Sequence, residues 1–346
     1  MNRLLQPDYT KSVAEVYAHA VQHFIIQSES LDPVCGWQTL GRDELPSWVP
    51  DYNLNQDLAS SPLVPIDGRE SIFAASGYSY QSKYTLGPSS MAQWASLSVT
   101  GLCIDTVSMY SDPTPEDDPF GSVERMWNST VVAAGHLLDG LTKDVENTLE
   151  SISSMVNRYS ERWQATGKSY SQSLYSHSKE NLSLEDNIRN HPSLSLEDLK
   201  PESEFLDTYI LDAYFQSLVC GRQTTTERLS KENALTILSL RVGNTPTNDP
   251  QGDIIGLICS AFDSGMRGRS IAITSKGYIG AMPQGVQAGD LVCVLFGCSV
   301  PVVLRKRTGD ESYSFIGECY LHGFMDAEAI AFQVKGELKE RSFILS

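Results

Sequence analysis

The run LVCVLF at residues 291–296 contains no polar side chain. Successive residues of a strand point to opposite faces, so a strand of this composition needs apolar cover on both sides. Glycines punctuate it: GVQAGD leads in and Gly297 follows, which suits a short buried strand. The surrounding segments fit such a sheet. RSIAITSKGYIGAMP (269–283) holds two short strands around Lys276-Gly277. PVVLRKR (301–307), a turn at Thr308-Gly309-Asp310 and YSFIGECYLHG (313–323) complete an antiparallel β meander or small barrel.

The rest of the chain predicts helices as well as strands, so the fold class is α+β. Residues 10–27 read as a helix: Thr10 or Ser12 can cap it and Glu15 stands in its first turn. Val13, Val16, Tyr17, Ala20 and Phe24 fall at helical spacing. LPSWVPDY (45–52), with two prolines and two large aromatics, predicts a rigid packed corner. SLSVTGLCIDTVSMYS (96–111) alternates as a half-buried strand, with a bulge or bend expected at Gly101. Further helices are expected at about 120–140, 143–164, 204–220 and 227–242. Residues 167–204 are serine-rich and repeat LSLED at 182–186 and 194–198. They read as a surface insertion, either disordered in part or made of short amphipathic turns. The 346 residues are expected to form one unit: helix plus strands over 1–110, a mainly helical 111–243, and a β-rich 267–335.

Charge and motifs exclude several function classes. A net charge of −17 repels phosphate backbones and anionic membranes, so neither nucleic acid nor membrane is expected as a partner. The opening residues turn polar within six positions and no apolar run reaches spanning length, which predicts a cytoplasmic chain. The seven scattered cysteines (35, 103, 220, 259, 293, 298, 319) then read as buried reduced thiols. No dinucleotide or phosphate loop, HExxH, paired Cys/His set or GxSxG elbow occurs, so no cofactor and no metal are expected. His19 and His23 share a helix face without a third ligand, and Asp117-Asp118 reads as a solvated acidic turn.

The most reactive-looking stretch is GECYLHGFMD (317–326). Cys319 and His322 are three apart and should face opposite ways in a strand, which speaks against a Cys–His dyad. Glu318, Tyr320 and His322 share a face and could supply acid/base and hydrogen-bonding groups to a cavity. The structural alternative pairs Glu318 with Arg305 or a backbone donor and lets His322 satisfy a buried carbonyl.

The tail KGYIGAMPQGVQAGDLVCVLFGCSVPVVLRK followed by YSFIGECYLHGFMDAEAI resembles the fungal heterokaryon-incompatibility (HET) family. PDYTKSVAEVYAHAVQHFI (7–25) and LPSWVPDY are also similar to family segments. The resemblance is to the region following the family's N-terminal signature half. An LSYxWG-like motif and an arginine–aspartate segment normally precede PDY, which here begins at residue 7. The resemblance therefore implies a family member without the half expected to carry cell-death signalling.

Two functional readings follow. The first is a cofactor-independent cyclase or isomerase of fungal secondary metabolism, closing a terpenoid or polyketide by a Diels–Alder-type reaction. It would fold a small apolar substrate in an apolar pocket, with Trp48, Tyr52 and Tyr278 as shaping residues and Glu318, Tyr320 and His322 as polar catalytic groups. The second is a non-enzymatic HET-related binding or regulatory protein in incompatibility or cell-death signalling. A deep apolar cavity would favour the first, and a filled core with an exposed apolar patch the second.

Overall fold

The computed structural model describes residues 10–36, 45–52, 61–65, 70–77, 84–86, 96–111, 213, 216–224, 226–229, 261 and 264–346. The helices expected at 120–140 and 143–164, the 167–204 insertion, Trp94, Asp117, Asp118 and Cys259 lie outside the described residues, as does most of 204–220 and 227–242. Residues 216–218 are helical as expected. Arg228 bridges back to Arg222 and begins no helix.

The architecture is α+β, with its strands concentrated toward the C-terminus. Helix α1 (Val13–Ser28) starts at Ser12, whose hydroxyl takes the Glu15 N–H while the Glu15 carboxylate takes the Ser12 N–H. This reciprocal capping box satisfies two otherwise orphaned donors. The helix ends at Glu29 in the left-handed conformation. The apolar row conspicuous in the sequence is not the row the fold buries. Ala14, Ala18, Val21 and Ile25 face inward, while Val13, Val16 and Phe24 are exposed. Both rows have helical spacing, so periodicity alone does not choose between them. The two alanines let the helix approach the core closely. Tyr17 lies between the rows, edge-on to Tyr52 at 5.2 Å.

Among the described residues nine strands form the sheet: β1 (Tyr84–Leu86), β2 (Leu97–Tyr110), β3 (Ser270–Thr274), β4 (Ile279–Met282), β5 (Leu291–Leu295), β6 (Val302–Lys306), β7 (Ser312–Glu318), β8 (Tyr320–Leu321) and β9 (Glu340–Leu345). The order β5-β6-β7-β9-β2 closes on itself because β2 also pairs with β5. Five strands thus make a ring, which leaves no open edge within it. All its pairings are antiparallel except β7–β9, which is parallel over two residue pairs. The closing strand β9 lies beyond the 267–335 range that composition suggests.

Strand β2 makes the ring possible. It meets β9 along Leu97–Leu102, β5 along Gly101–Thr106 and β3 along Val107–Tyr110. From there the sheet continues through β4 to β8. The register slips lie between Cys103 and Asp105 and between Val107 and Met109, not at Gly101. Gly101 serves a different purpose. A Cβ there would sit 2.4 Å from the Val294 carbonyl oxygen, so only glycine lets β2 approach β5 this closely.

Strand β5 is buried as its composition requires. Cys293 and Leu295 enter one apolar cluster, and Val292 and Val294, with Phe296 beyond them, enter a second. The first cluster receives Ala18, Val21 and Ile25 of α1 and the fully buried Trp48. The second is covered by helix α2 (Glu328–Val334) through Ala329, with Ile330 and Phe332 at its margin. The 45–52 corner is packed as expected. Ser47 Oγ donates to the Ser346 carbonyl at 2.6 Å and accepts the Phe315 N–H at 2.8 Å, tying the corner to β7 and the end of β9.

Candidate functional site

Glu318, Cys319, Tyr320 and His322 occupy the junction where β7 gives way to β8. Alternation at this junction sends neighbouring side chains to different surroundings. Cys319 is fully buried in the second cluster with Phe324 and Leu321, and burial pushes its thiol far up. Tyr320 belongs to the first cluster. Cys319 and Tyr320 thus enter different clusters, as strand alternation implies.

Glu318 is buried, and its carboxylate meets Arg269, not Arg305. Arg269 Nη2 lies 2.9 Å from Glu318 Oε1, and the same oxygen accepts the Leu63 N–H. Val64 supplies a further backbone donor. Arg269 also donates to the carbonyls of Gly265 at 2.9 Å and Ser61 at 3.2 Å. A second buried guanidinium, Arg222, donates to the carbonyls of Pro62 at 2.8 Å and Ser61 at 3.2 Å. Together these groups clamp the 61–65 loop onto the sheet. Desolvation raises the Glu318 pKa, opposed by the positive charge of Arg269 and the loop N–H groups. Desolvation also lowers Arg222.

Tyr320 and His322 do meet: the phenolic oxygen is 3.2 Å from Nδ1 of His322. The Tyr320 ring lies edge-on to Phe73 at 6.4 Å and is so close to Gly221 that a Cβ there would fall 2.5 Å from it. Gly221 has φ +65°, which glycine adopts without strain. His322 donates its backbone N–H to Ile279 at 3.0 Å and is half-buried. Arg228 caps this corner, stacking 4.1 Å over Phe73 and pairing with Asp326.

The three aromatics expected to shape a pocket are dispersed. Trp48 is buried in the first cluster, Tyr278 packs edge-on against Phe324 of the second at 4.8 Å, and Tyr52 is exposed beside α1. Trp48 and Tyr278 therefore sit with different apolar clusters, and the three do not line one cavity with Glu318.

The two histidines of α1 have neighbours of their own. His19 Nδ1 is 3.1 Å from Lys11 Nζ, and His23 stands edge-on to Phe24. Burial and the Lys11 charge lower the His19 pKa. The Cys103 thiol is made more acidic than usual. Its hydrogen bond with Cys293, opposite it on β5, brings it down to about 7 against the opposing effect of burial. The ligand-type atoms that converge come from another pair of loops, at Asp32, Cys35 and Cys298. Sequence spacing gave no sign of that group, since Cys298 follows the other two by most of the chain.

Residues 255–340 match the family model described as the Het-6 beta-barrel domain. Over this segment the chain is similar to heterokaryon-incompatibility proteins. Over 65 residues, 18% of this chain, it is 40% identical to "Heterokaryon incompatibility protein 6, OR allele" of Neurospora crassa. The match spans 10% of that relative's length. No solved structure matches the chain. Two strands of the ring reach outside the matched segment: β2 at 97–110 and most of β9 at 340–345. The ring is thus completed by β2, far upstream of the matched segment, and by β9 directly after it.

This relationship corrects the first functional reading. The matches point to heterokaryon incompatibility and not to a secondary-metabolism cyclase or Diels–Alderase. Among the described residues no helix is long and apolar enough to cross a membrane.

Proposed function

We propose that this chain is a non-enzymatic recognition protein of incompatibility or cell-death signalling, built on a Het-6 barrel. The observation that carries the proposal is the family match at residues 255–340. Two structural features support it. The polar groups of the GECYLHG stretch are engaged with their own fold: Glu318 with Arg269 and the 61–65 loop, Tyr320 with His322. The apolar row Val13, Val16 and Phe24 on α1 faces outward, as a surface that binds another protein would. In this reading the partner is a protein, the barrel is a rigid frame, and α1 is the element presented.

The test is genetic and physical together. The full chain is expressed in fungal strains that differ in incompatibility background, and growth arrest and vital-dye uptake are scored in each. The expected outcome is arrest or death in some backgrounds and not others. It should be lost when Val16 and Phe24 are both replaced by Asp, with the circular dichroism spectrum and melting temperature preserved. Equal growth in every background, or a response indifferent to the α1 row, would count against the reading.

A further inference from the structure

The loop after α1 and the turn after β5 meet face to face. Pro33 fixes a short 3-10 turn over Asp32–Val34, and the Cys35 N–H closes it on the Asp32 carbonyl at 2.8 Å. The turn leaves the Asp32 and Cys35 side chains converging. Cys298 arrives from the opposite side, in a turn closed by its N–H on the Leu295 carbonyl at 3.0 Å. One carboxylate oxygen of Asp32 and the sulfurs of Cys35 and Cys298 all lie within 4.8 Å of one another. Both cysteines are free thiols and buried.

The two thiols are hydrogen-bonded to each other, and surrounding groups hold the loops that carry them. Leu31 N–H and Ser30 Oγ both donate to the Gly297 carbonyl, at 2.9 and 2.8 Å. The Ala75 N–H donates to the Ser299 carbonyl at 2.9 Å. Ser299 then aims the carboxylate: its N–H reaches Asp32 Oδ1 at 2.7 Å and its hydroxyl reaches Oδ2 at 2.6 Å. These bonds fix the carboxylate's orientation beside the two thiols. A carboxylate fixed by outside hydrogen bonds beside two thiols is the arrangement that presents ligands to a metal already oriented.

We propose that Asp32, Cys35 and Cys298 bind a zinc ion that ties the segment after α1 to the barrel. Two sulfurs and one carboxylate oxygen suit a borderline-soft dication that prefers four ligands, and water completes the shell. On binding, the two thiol protons leave to solvent and two thiolate–zinc bonds form; nothing is oxidised or reduced. A second thiol pair offers a contrast. Cys103 and Cys293 also face each other, across β2 and β5, but among the described residues no third ligand atom joins them within 4.8 Å.

Cobalt is the probe. The full chain, reduced and stripped with a chelator, is titrated with Co²⁺. The expected result is a saturable thiolate-to-cobalt charge-transfer absorption with intense visible bands of a four-coordinate ion, removed by added Zn²⁺. Cys103→Ser should leave it intact and Cys298→Ser should abolish it. Should Cys298→Ser not fold, Asp32→Asn keeps a carbonyl oxygen for Ser299 and removes one anionic ligand. It should weaken cobalt binding by more than the roughly 10–100-fold that loss of an outer-sphere partner causes. Absence of charge-transfer absorption in the full chain overturns the proposal. So does absorption that depends on Cys103 and not on Cys298. A Cys35–Cys298 disulfide in protein prepared with thiol protection also overturns it.

Discussion

Arg269–Glu318 and Arg305–Asp290 are the same chemical pair set at two depths. The first has side chains 2% and 4% exposed; in the second the carboxylate is 3% exposed but the guanidinium 30%. Arg305 forks onto both Asp290 oxygens at 2.7 and 2.8 Å and reaches the Gly285 carbonyl at 2.7 Å, bracing the turn that enters β5. It does this from the surface, where water can replace a lost partner. Arg269 has no such access. It joins β7 to the 61–65 loop across the interior, and its partner is replaceable only by another protein group. The difference teaches that burial, more than geometry, sets what a pair is worth when broken.

The largest effect is expected at the deep pair. Glu318→Gln keeps an acceptor for the Leu63 N–H but leaves Arg269 a buried uncompensated charge. Chemical denaturation should report a loss of roughly 3–5 kcal/mol. Replacing both members, as Arg269→Met with Glu318→Leu, should recover part of that loss. Full recovery is not expected, because the Leu63 N–H would lose its acceptor and the Gly265 carbonyl its Arg269 donor. A double variant as unstable as Glu318→Gln alone would break the comparison.

Asp290→Asn comes next. It removes charge from a half-exposed pair while the Gln287 N–H keeps an acceptor. The same denaturation experiment should show about 1.5–3 kcal/mol, the range for hydrogen bonds to charged groups. A loss equal to that of Glu318→Gln would show that depth does not separate the two sites.

A third prediction concerns pH. Burial raises the pKa of both Glu318 and Glu328 above the free value of 4.5. Between the free and folded values the folded chain holds more protons than the unfolded one. Stability therefore falls as pH rises through that window and is level above it. Glu328→Gln cannot titrate and keeps an acceptor for the Asp326 N–H. Melting temperatures measured across the window should fall less steeply in this variant than in the parent. The smallest effect belongs to Lys306–Glu311, whose side chains are 54% and 87% exposed. Glu311→Gln should change stability by no more than about 0.5 kcal/mol, and less in high salt.

Much of the fold was legible where local chemistry decides. LVCVLF announced a strand buried on both faces, and the structure divides its alternate residues between two clusters. Ser12 and Glu15 marked the start of α1, and Lys276-Gly277 marked a hairpin. What was not legible depends on distant partners. Glu318 had Arg305 as a plausible counter-ion nearby in sequence, yet Arg305 serves Asp290 and Glu318 takes Arg269. No rule of spacing distinguishes those choices. The exposed row of α1 was misleading for a different reason: a helix with two apolar stripes carries no local mark of which one is buried. Of the candidate site, strand alternation correctly separated Cys319 from His322 and joined His322 to Tyr320. It could not show that Glu318 is committed to a loop some 255 positions earlier.

The ring has a further consequence, for the order in which the molecule can be made. Strand β2 has β5 on one side and β9 on another, and β9 follows it only after the whole of residues 111–339. Contacts of such sequence separation carry a loop-closure entropy and slow the approach to the native state. While the chain is being made, β2 has β1 beside it, but its ring partners β5 and β9 follow only after residues 111–290. A fragment limited to residues 255–340 lacks β2 and most of β9, and should form an open sheet with a stave missing.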